Sequence, residues 1–215
     1  LGMWYFAIKR VIDILGSLFG LVLTAPLFLA VAAAIKLDSS GPVFADTPQR
    51  VGKGGRVFKM YKFRSMIKDA HLLLRKDPKF KKLYEQYKNN DFKVGTDEDP
   101  RITRIGRFIR KTSLDELPQL ANILRGEMSL VGPRAFHVDE LAEQQKRFPN
   151  SKKNVGKALS VKPGLTGPWQ VSGRSSIDFP DRIKLDAAYA QSRSILTDLI
   201  ILVKTIPAVL GGERS

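Results

Sequence analysis

Residues 14–35 read ILGSLFGLVLTAPLFLAVAAAI, 22 consecutive residues without a charge. As an unbroken helix they would extend ~33 Å, the thickness of a bilayer's hydrocarbon core. A cleaved signal peptide is the ordinary alternative for an apolar run behind Lys9 and Arg10, but this one is long and no small-x-small cleavage site follows it. A buried core helix is the other alternative, and 22 uncharged residues exceed what a soluble domain of this size needs. The flanks decide the topology. Lys9 and Arg10 precede the run, while Lys36, Arg50, Lys53, Arg56, Lys59 and Lys62 follow it. The positive-inside preference therefore asks both ends to stay on the cytoplasmic face, which a straight span cannot satisfy. Pro26, near the middle, has no N–H donor and clashes with the carbonyl four residues back. The expectation is a re-entrant membrane hairpin kinked at Pro26 over residues 1–37, followed by a cytosolic domain over 38–215. Asp13, at the mouth of the run, needs a partner, and Arg10 is expected to supply it.

Composition narrows the rest. The chain has 215 residues, with 36 Lys and Arg against 21 Asp and Glu, a formal charge of +15. With 43% hydrophobic residues it is too apolar for a disordered basic tail. It has no cysteine, which removes disulfides, thiolate metal sites and cysteine nucleophiles together, and its two histidines, His71 and His137, argue against a multi-histidine metal centre. So large a positive excess points to nucleic acid, anionic membrane lipids or phosphorylated substrates. Aromatic residues are not interleaved with the basic ones as on single-strand stacking platforms, so no nucleic-acid partner is expected.

Outward from the apolar run, DSSGP (38–42) marks the junction to a soluble composition. Residues 42–66 carry short apolar runs around GKGG (52–55) and predict a β-hairpin with that turn at its tip. GKGG lacks the spacing and the following Lys-Ser/Thr of a P-loop. Residues 67–90 are charged and helical in pattern, and TDEDPR (96–101) is a turn. RITRIGRFIRK (101–111) repeats arginine every third residue at Arg101, Arg104, Arg107 and Arg110, a basic stripe beside an apolar one suited to anionic headgroups. Residues 194–210, SILTDLIILVKTIPAVL, are too short and interrupted to span and predict an interfacial or docking helix. The fold class is therefore α+β, mostly helical: a re-entrant membrane hairpin, then a small catalytic domain with one short β-hairpin and interfacial amphipathic helices.

KTSLDELPQLANILRGEMSLVGPRA (111–135) is where chemistry is expected. Ser113-Leu-Asp-Glu116 fits a helix capping box, which would make Asp115 and Glu116 purely structural. The competing reading follows from the arginines around them. A carboxylate can attack phosphorus and form an acyl phosphate. An anionic nucleophile and a diphosphate repel, so a divalent cation and arginine clamps are required; Mg²⁺ accepts one or two carboxylates plus phosphate oxygens. Arg134, after the Gly132-Pro133 turn, and Arg174 are candidate clamps.

Three stretches in order, KFRSM (62–66), DPRITRIGRFIRKTSLDELPQLANILRGEMSLVGPR (99–134) and KPGLTGPWQVSGR (162–174), behind Lys9-Arg10 and a Pro-broken apolar segment, resemble the bacterial sugar transferase family of monotopic phosphoglycosyl transferases. The resemblance covers nearly the whole chain. It implies transfer of a sugar-1-phosphate from a UDP-sugar to undecaprenyl phosphate with release of UMP, at the cytoplasmic face of the bacterial inner membrane, as the first membrane step of polysaccharide assembly. Asp115 would be the nucleophile and Glu116 its partner in Mg²⁺ and proton handling. Pro133 and Arg134 match the first two residues of the family's Pro-Arg-Pro nucleotide-sugar motif, whose third residue is Ala135 here. Lys62 and Arg64 match its Lys-Phe-Arg pair, and Arg174 the arginine closing Gln-Val-x-Gly-Arg. The family's Ser-Pro bend is Ala25-Pro26 in this chain, so any hydroxyl bond at the bend is absent. The resemblance further implies a plain hexose donor, a possible homodimer, and likeness to the minimal catalytic unit of larger members. The rival from another class is a membrane-tethered basic scaffold without catalysis.

Overall fold

The computed structural model describes residues 3–90, 94–173 and 177–210. It is mostly helical, with two small sheets. One helix, α1, runs from Met3 to Asp38. It is long and apolar enough to cross a membrane by length and composition. The separate limbs expected on either side of Pro26 are not formed, because helical structure continues through the proline. A proline removes one backbone bond, and its neighbours Ala25 and Leu27 are good helix formers. The hydroxyl bond expected to be absent at the bend is present in another form: just before the proline the Thr24 hydroxyl donates to the Gly20 carbonyl at 2.7 Å, a bond that favours bending. Any change of direction at Pro26 is thus a bend inside one helix rather than a turn between two.

Both flanks of α1 pack on the rest of the chain. Near its start, Asp13 Oδ1 accepts from Ser129 Oγ and from the Leu130 amide, each at 2.9 Å. Arg10 instead donates to the carbonyls of Ile123 and Leu124. The expected Arg10–Asp13 pair is therefore replaced by two separate docking contacts, since orphan carbonyls at a helix end and a buried hydroxyl and amide satisfy both side chains better than each other's exposed tips. Toward its end, Val31 and Ile35 join Phe63 and Ile109 in one buried cluster, with Phe28 against it. Asp38 Oδ2 accepts from the Ile105 amide at 3.1 Å. Between these flanks Val22, Leu23 and Leu29 are largely exposed.

The hairpin predicted around GKGG is present: β1 (Arg50–Val51) pairs antiparallel with β2 (Val57–Phe58), Arg50 opposite Phe58. A distant third strand, β4 (Phe136–His137), joins the other edge of β1, with Val51 opposite Phe136. The charged stretch forms α2 (Ala70–Lys76) and α3 (Lys81–Asn89). The arginine-repeat segment forms α4 (Arg104–Lys111), capped by Thr103, whose Oγ1 accepts from the Gly106 amide at 3.0 Å. Its stripe starts one arginine late. Arg101 precedes the helix and is buried, forking onto Asp99 at 2.9 and 2.6 Å. Arg104 and Arg107 are exposed beside Phe108, and Ile109 points inward.

After α4 come α5 (Gln119–Leu124) and β3 (Ser129–Val131). The chain then passes through β4, α6 (Val138–Arg147) and α7 (Lys152–Ala158) to β5 (Gly164–Thr166), which pairs parallel with β3. This crossing is close: a Cβ on Gly164 would stand 2.1 Å from the Gly132 amide nitrogen, so only glycine fits. A short α8 (Pro168–Val171), α9 (Phe179–Ser192) and α10 (Ile195–Leu210) complete the chain. The main core lies where Val51, Phe136, Leu141, Val155, Phe179 and Ile183 converge, which fixes β4, α6, α7 and α9 behind the segments carrying Asp115 and Arg134.

Candidate active site

The acidic pair stands on a single 3-10 turn, Leu114–Glu116, between α4 and α5. Ser113 before it adopts φ +57° and makes no side-chain cap bond, and α5 begins only at Gln119. The capping-box alternative is thus not realised. Because Ser113 is left-handed rather than extended, its hydroxyl cannot reach the third amide, and the carboxylates are free to face elsewhere. They face Lys62. The Phe63 amide donates to the Asp115 carbonyl at 2.9 Å, which locks the strand-like segment carrying Lys62 against the turn. Lys62 Nζ then lies 2.7 Å from Glu116 Oε1 and 3.4 Å from Asp115 Oδ2.

The two carboxyls are pushed in opposite directions. Burial raises the pKa of Asp115, with the neighbouring Glu116 charge adding to it, while Lys62 and Arg110 pull only part of the way back. Burial would raise Glu116 as well, but Lys62, with Arg134 and Arg50 behind it, overrides this and holds it below the ordinary range. Adjacent carboxyls split in this way suit different tasks, one remaining a fixed charge while the other becomes more basic.

Arg134 follows the turn after β3 and lies with its guanidinium 4.7 Å from the centre of the Trp169 ring. Pro133 shapes that turn and accepts the Gly164 amide at 2.9 Å. Lys62 and the acidic pair are therefore joined at the α4–α5 turn, while Arg134 and Pro133, placed by the β3–β5 crossing, are linked to them only through the charge of Arg134 acting on Glu116. Arg64 is not among them. It is buried, and its guanidinium is spent on the Pro42 carbonyl (2.5 Å), Ser39 Oγ (2.7 Å) and the Ser39 carbonyl (2.9 Å). Alternation places neighbours 62 and 64 on one side of an extended segment, yet the end of α1 captures the second. Arg174 lies outside the described residues.

Three groups that the sequence reading passed over belong to this neighbourhood. Arg50, on β1, is buried and donates to the Ala135 carbonyl at 3.1 Å; burial, with Arg134 nearby, lowers it to about 10. Arg182, on α9, sits 4.4 Å from the Phe136 ring and 3.0 Å from Glu140. His137 is held neutral by burial among Arg50, His71 and Arg134. Nothing in the local sequence marks them, since they come from β1, β4 and α9 and meet only through the core.

For Mg²⁺ the donor chemistry fits in part. Two adjacent carboxylates are hard oxygen donors of the number that Mg²⁺ accepts from protein, with substrate phosphate and water completing the shell. Among the described residues no group of three or more His, Cys, Asp or Glu side chains is gathered for a metal, and Lys62 already bridges the pair.

Comparison with known proteins supplies the context. The family model described as "Bacterial sugar transferase" matches residues 4–212. The chain is 42% identical over 212 residues to undecaprenyl-phosphate galactose phosphotransferase of Salmonella typhimurium, covering 97% of this chain and 41% of that protein. It is 42% identical to galactosyl transferase CpsE of Streptococcus agalactiae, covering 96% and 43%. It is 40% identical to exopolysaccharide production protein ExoY of Sinorhizobium fredii, covering 96% and 87%. The chain thus spans about two-fifths of the length of the first two relatives and most of the third. A match over nearly the whole chain means that the chain belongs to the bacterial sugar transferase family.

Proposed function

We propose that this chain transfers a sugar-1-phosphate from a UDP-sugar to undecaprenyl phosphate, releasing UMP, through a covalent aspartyl-phosphosugar. The observation that carries this reading is Asp115, buried and made more basic, beside an ionised Glu116 under one lysine. The relatives named undecaprenyl-phosphate galactose, glucose and N-acetylgalactosamine phosphotransferases support the substrate class.

In the first step an Asp115 carboxylate oxygen attacks the sugar-bearing phosphorus. The P–O bond to UMP breaks, and UMP leaves with the electron pair. In the second, an oxygen of undecaprenyl phosphate attacks the same phosphorus, the acyl–phosphate bond breaks, and Asp115 returns as carboxylate. Lys62 offsets the negative charge of the pair, and Arg134, with Arg174 as the resemblance implies, holds the diphosphate. Glu116 stays ionised throughout. Mg²⁺ held by Asp115 and Glu116 would supply charge neutralisation on the diphosphate oxygens.

The membrane arrangement follows from the same chemistry, since a lipid phosphate stays at the headgroup plane and its nucleophile must reach it there. Both flanks of α1 pack on one domain, while Val22, Leu23 and Leu29 around Pro26 are exposed. This supports a re-entrant α1 with its apex in the acyl region and the site on the cytoplasmic face of the bacterial inner membrane. The exposed Arg104, Arg107 and Phe108 of α4, and Leu196, Leu199 and Val203 of α10, would lie at the interface against anionic lipids. Labelling the two flanks of α1 in membrane vesicles tests this; opposite sidedness would exclude it. A homodimer is compatible with this seating. The reaction is tested by UMP release from UDP-hexoses with Mg²⁺ and undecaprenyl phosphate, which a catalytically inert scaffold would not give. Asp115→Asn should abolish it and the trapped phosphosugar adduct together, and an adduct that persists in that variant refutes the nucleophile.

A further inference from the structure

A second cationic notch lies at the far end of α5 from Asp115. Arg10 donates from Nη1 and Nη2 to the carbonyls of Ile123 and Leu124 at 2.6 and 2.8 Å, leaving further N–H groups of its five-donor fork available. Gly126 follows in a left-handed conformation, φ +78°. A Cβ at Gly126 would stand 3.5 Å from Lys162 Nζ and 3.6 Å from Arg10 Nη2, so two cations meet over the space that the missing side chain leaves. Among the described residues Lys162 has no hydrogen-bond or ion-pair partner. Burial lowers its pKa, and Arg10, Lys53 and Lys9 lower it further. The carboxylate that opposes them, Asp13, is already bonded to Ser129 and Leu130. Asp13 thus supplies one negative charge against several cations, and half-buried like charges that outnumber their counter-charge are unfavourable until a further anion joins them.

The surroundings say which anion. Phe6, one helical turn before Arg10, has Lys53 Nζ 6.0 Å and the Arg193 guanidinium 5.4 Å from its ring centre, and Trp4, two residues earlier on the same helix, is 81% exposed. Aromatic and basic side chains mixed at the end of an apolar helix are the composition of a headgroup layer. Asp115 lies beyond the other end of α5, roughly 9 Å of helix away, too far for a phosphate here to meet the nucleophile.

We propose that Arg10 and Lys162, over Gly126, form a binding site for a phosphate oxyanion, supplied by the headgroup of an anionic bilayer lipid and separate from the reacting acceptor. This rests on the membrane seating of α1 proposed above. The test is residue-resolved acetylation of the full-length chain, read by mass spectrometry, in phosphatidylcholine vesicles, in vesicles containing phosphatidylglycerol, and with inorganic phosphate added to the first. A bound anion raises the lysine pKa, and each unit lowers the reactive free amine about tenfold. Lys162 labelling should therefore fall about tenfold with phosphatidylglycerol, while exposed Lys184 is unaffected. Equal protection by inorganic phosphate alone would overturn the lipid assignment, and unchanged labelling in all three arms would overturn the site. UMP release in detergent, measured in parallel, reports separately on the transferase reading.

Discussion

Lys9 Nζ, on α1, lies 2.6 Å from Asp198 Oδ2 on α10, joining the two apolar helices through a pair with little exposure. The same ammonium donates to the Val131 carbonyl at 3.1 Å, and Tyr189 donates to Asp198 Oδ1 at 2.6 Å. The sparse charge that interrupts the C-terminal apolar run is therefore turned inward, and the network ends on the residue before the Gly132-Pro133-Arg134 turn.

Removing one partner leaves a buried, uncompensated charge. Asp198→Ala should destabilise the protein by about 3–5 kcal/mol. The double variant Lys9→Met, Asp198→Leu should recover much of that loss. Thermal unfolding in detergent checks both, and a double variant no more stable than Asp198→Ala would contradict the buried-pair account.

Lys62 is expected to govern the pH response. With Asp115 as the proposed nucleophile, it must be ionised to attack, so activity should fall as pH drops through its raised pKa. Lys62 opposes that rise in Asp115 and also holds Glu116 down. In Lys62→Met the acid limb of single-turnover UMP release should move up by about one pH unit or more. A profile that falls in amplitude without moving would mean that Lys62 binds donor and leaves the carboxyls alone.

Arg64 should behave as a structural residue. Its three donors hold the segment just after α1. Arg64→Ala should lower stability by roughly 1.5–3 kcal/mol or more, the value of a hydrogen bond from a charged group, without a selective change in KM for the donor. A raised donor KM at unchanged melting temperature would return Arg64 to the substrate site.

Gly164→Ala probes the crossing that positions Arg134. The added methyl would meet the Gly132 amide at 2.1 Å, backbone against backbone, with no flexible side chain to yield. We expect a loss of about 1–3 kcal/mol or more and a fall in donor affinity that tracks it. Wild-type stability in this variant would mean that β3 and β5 do not approach so closely.

Much was legible in one dimension. The uncharged run fixed α1, because 22 such residues have nowhere to go in a basic domain but an apolar environment. The GKGG turn fixed the hairpin, because two glycines at φ +67° and +81° reverse a chain where other residues are strained. Asp115-Glu116 next to an arginine-rich helix marked the candidate site. Partnership was not legible. Asp13 takes Ser129 and Leu130, 116 and 117 positions away, rather than Arg10 three residues back. Arg101 folds onto Asp99 instead of joining the stripe, and Arg64 turns to α1 while Lys62 turns to the acids. Arg50 and Arg182 come near Arg134 only because β4 and α9 pack into one core. Hydrophobic spacing and turn chemistry are written locally. A charged side chain's partner is settled by which groups burial leaves needing one, and that depends on elements far apart in the chain.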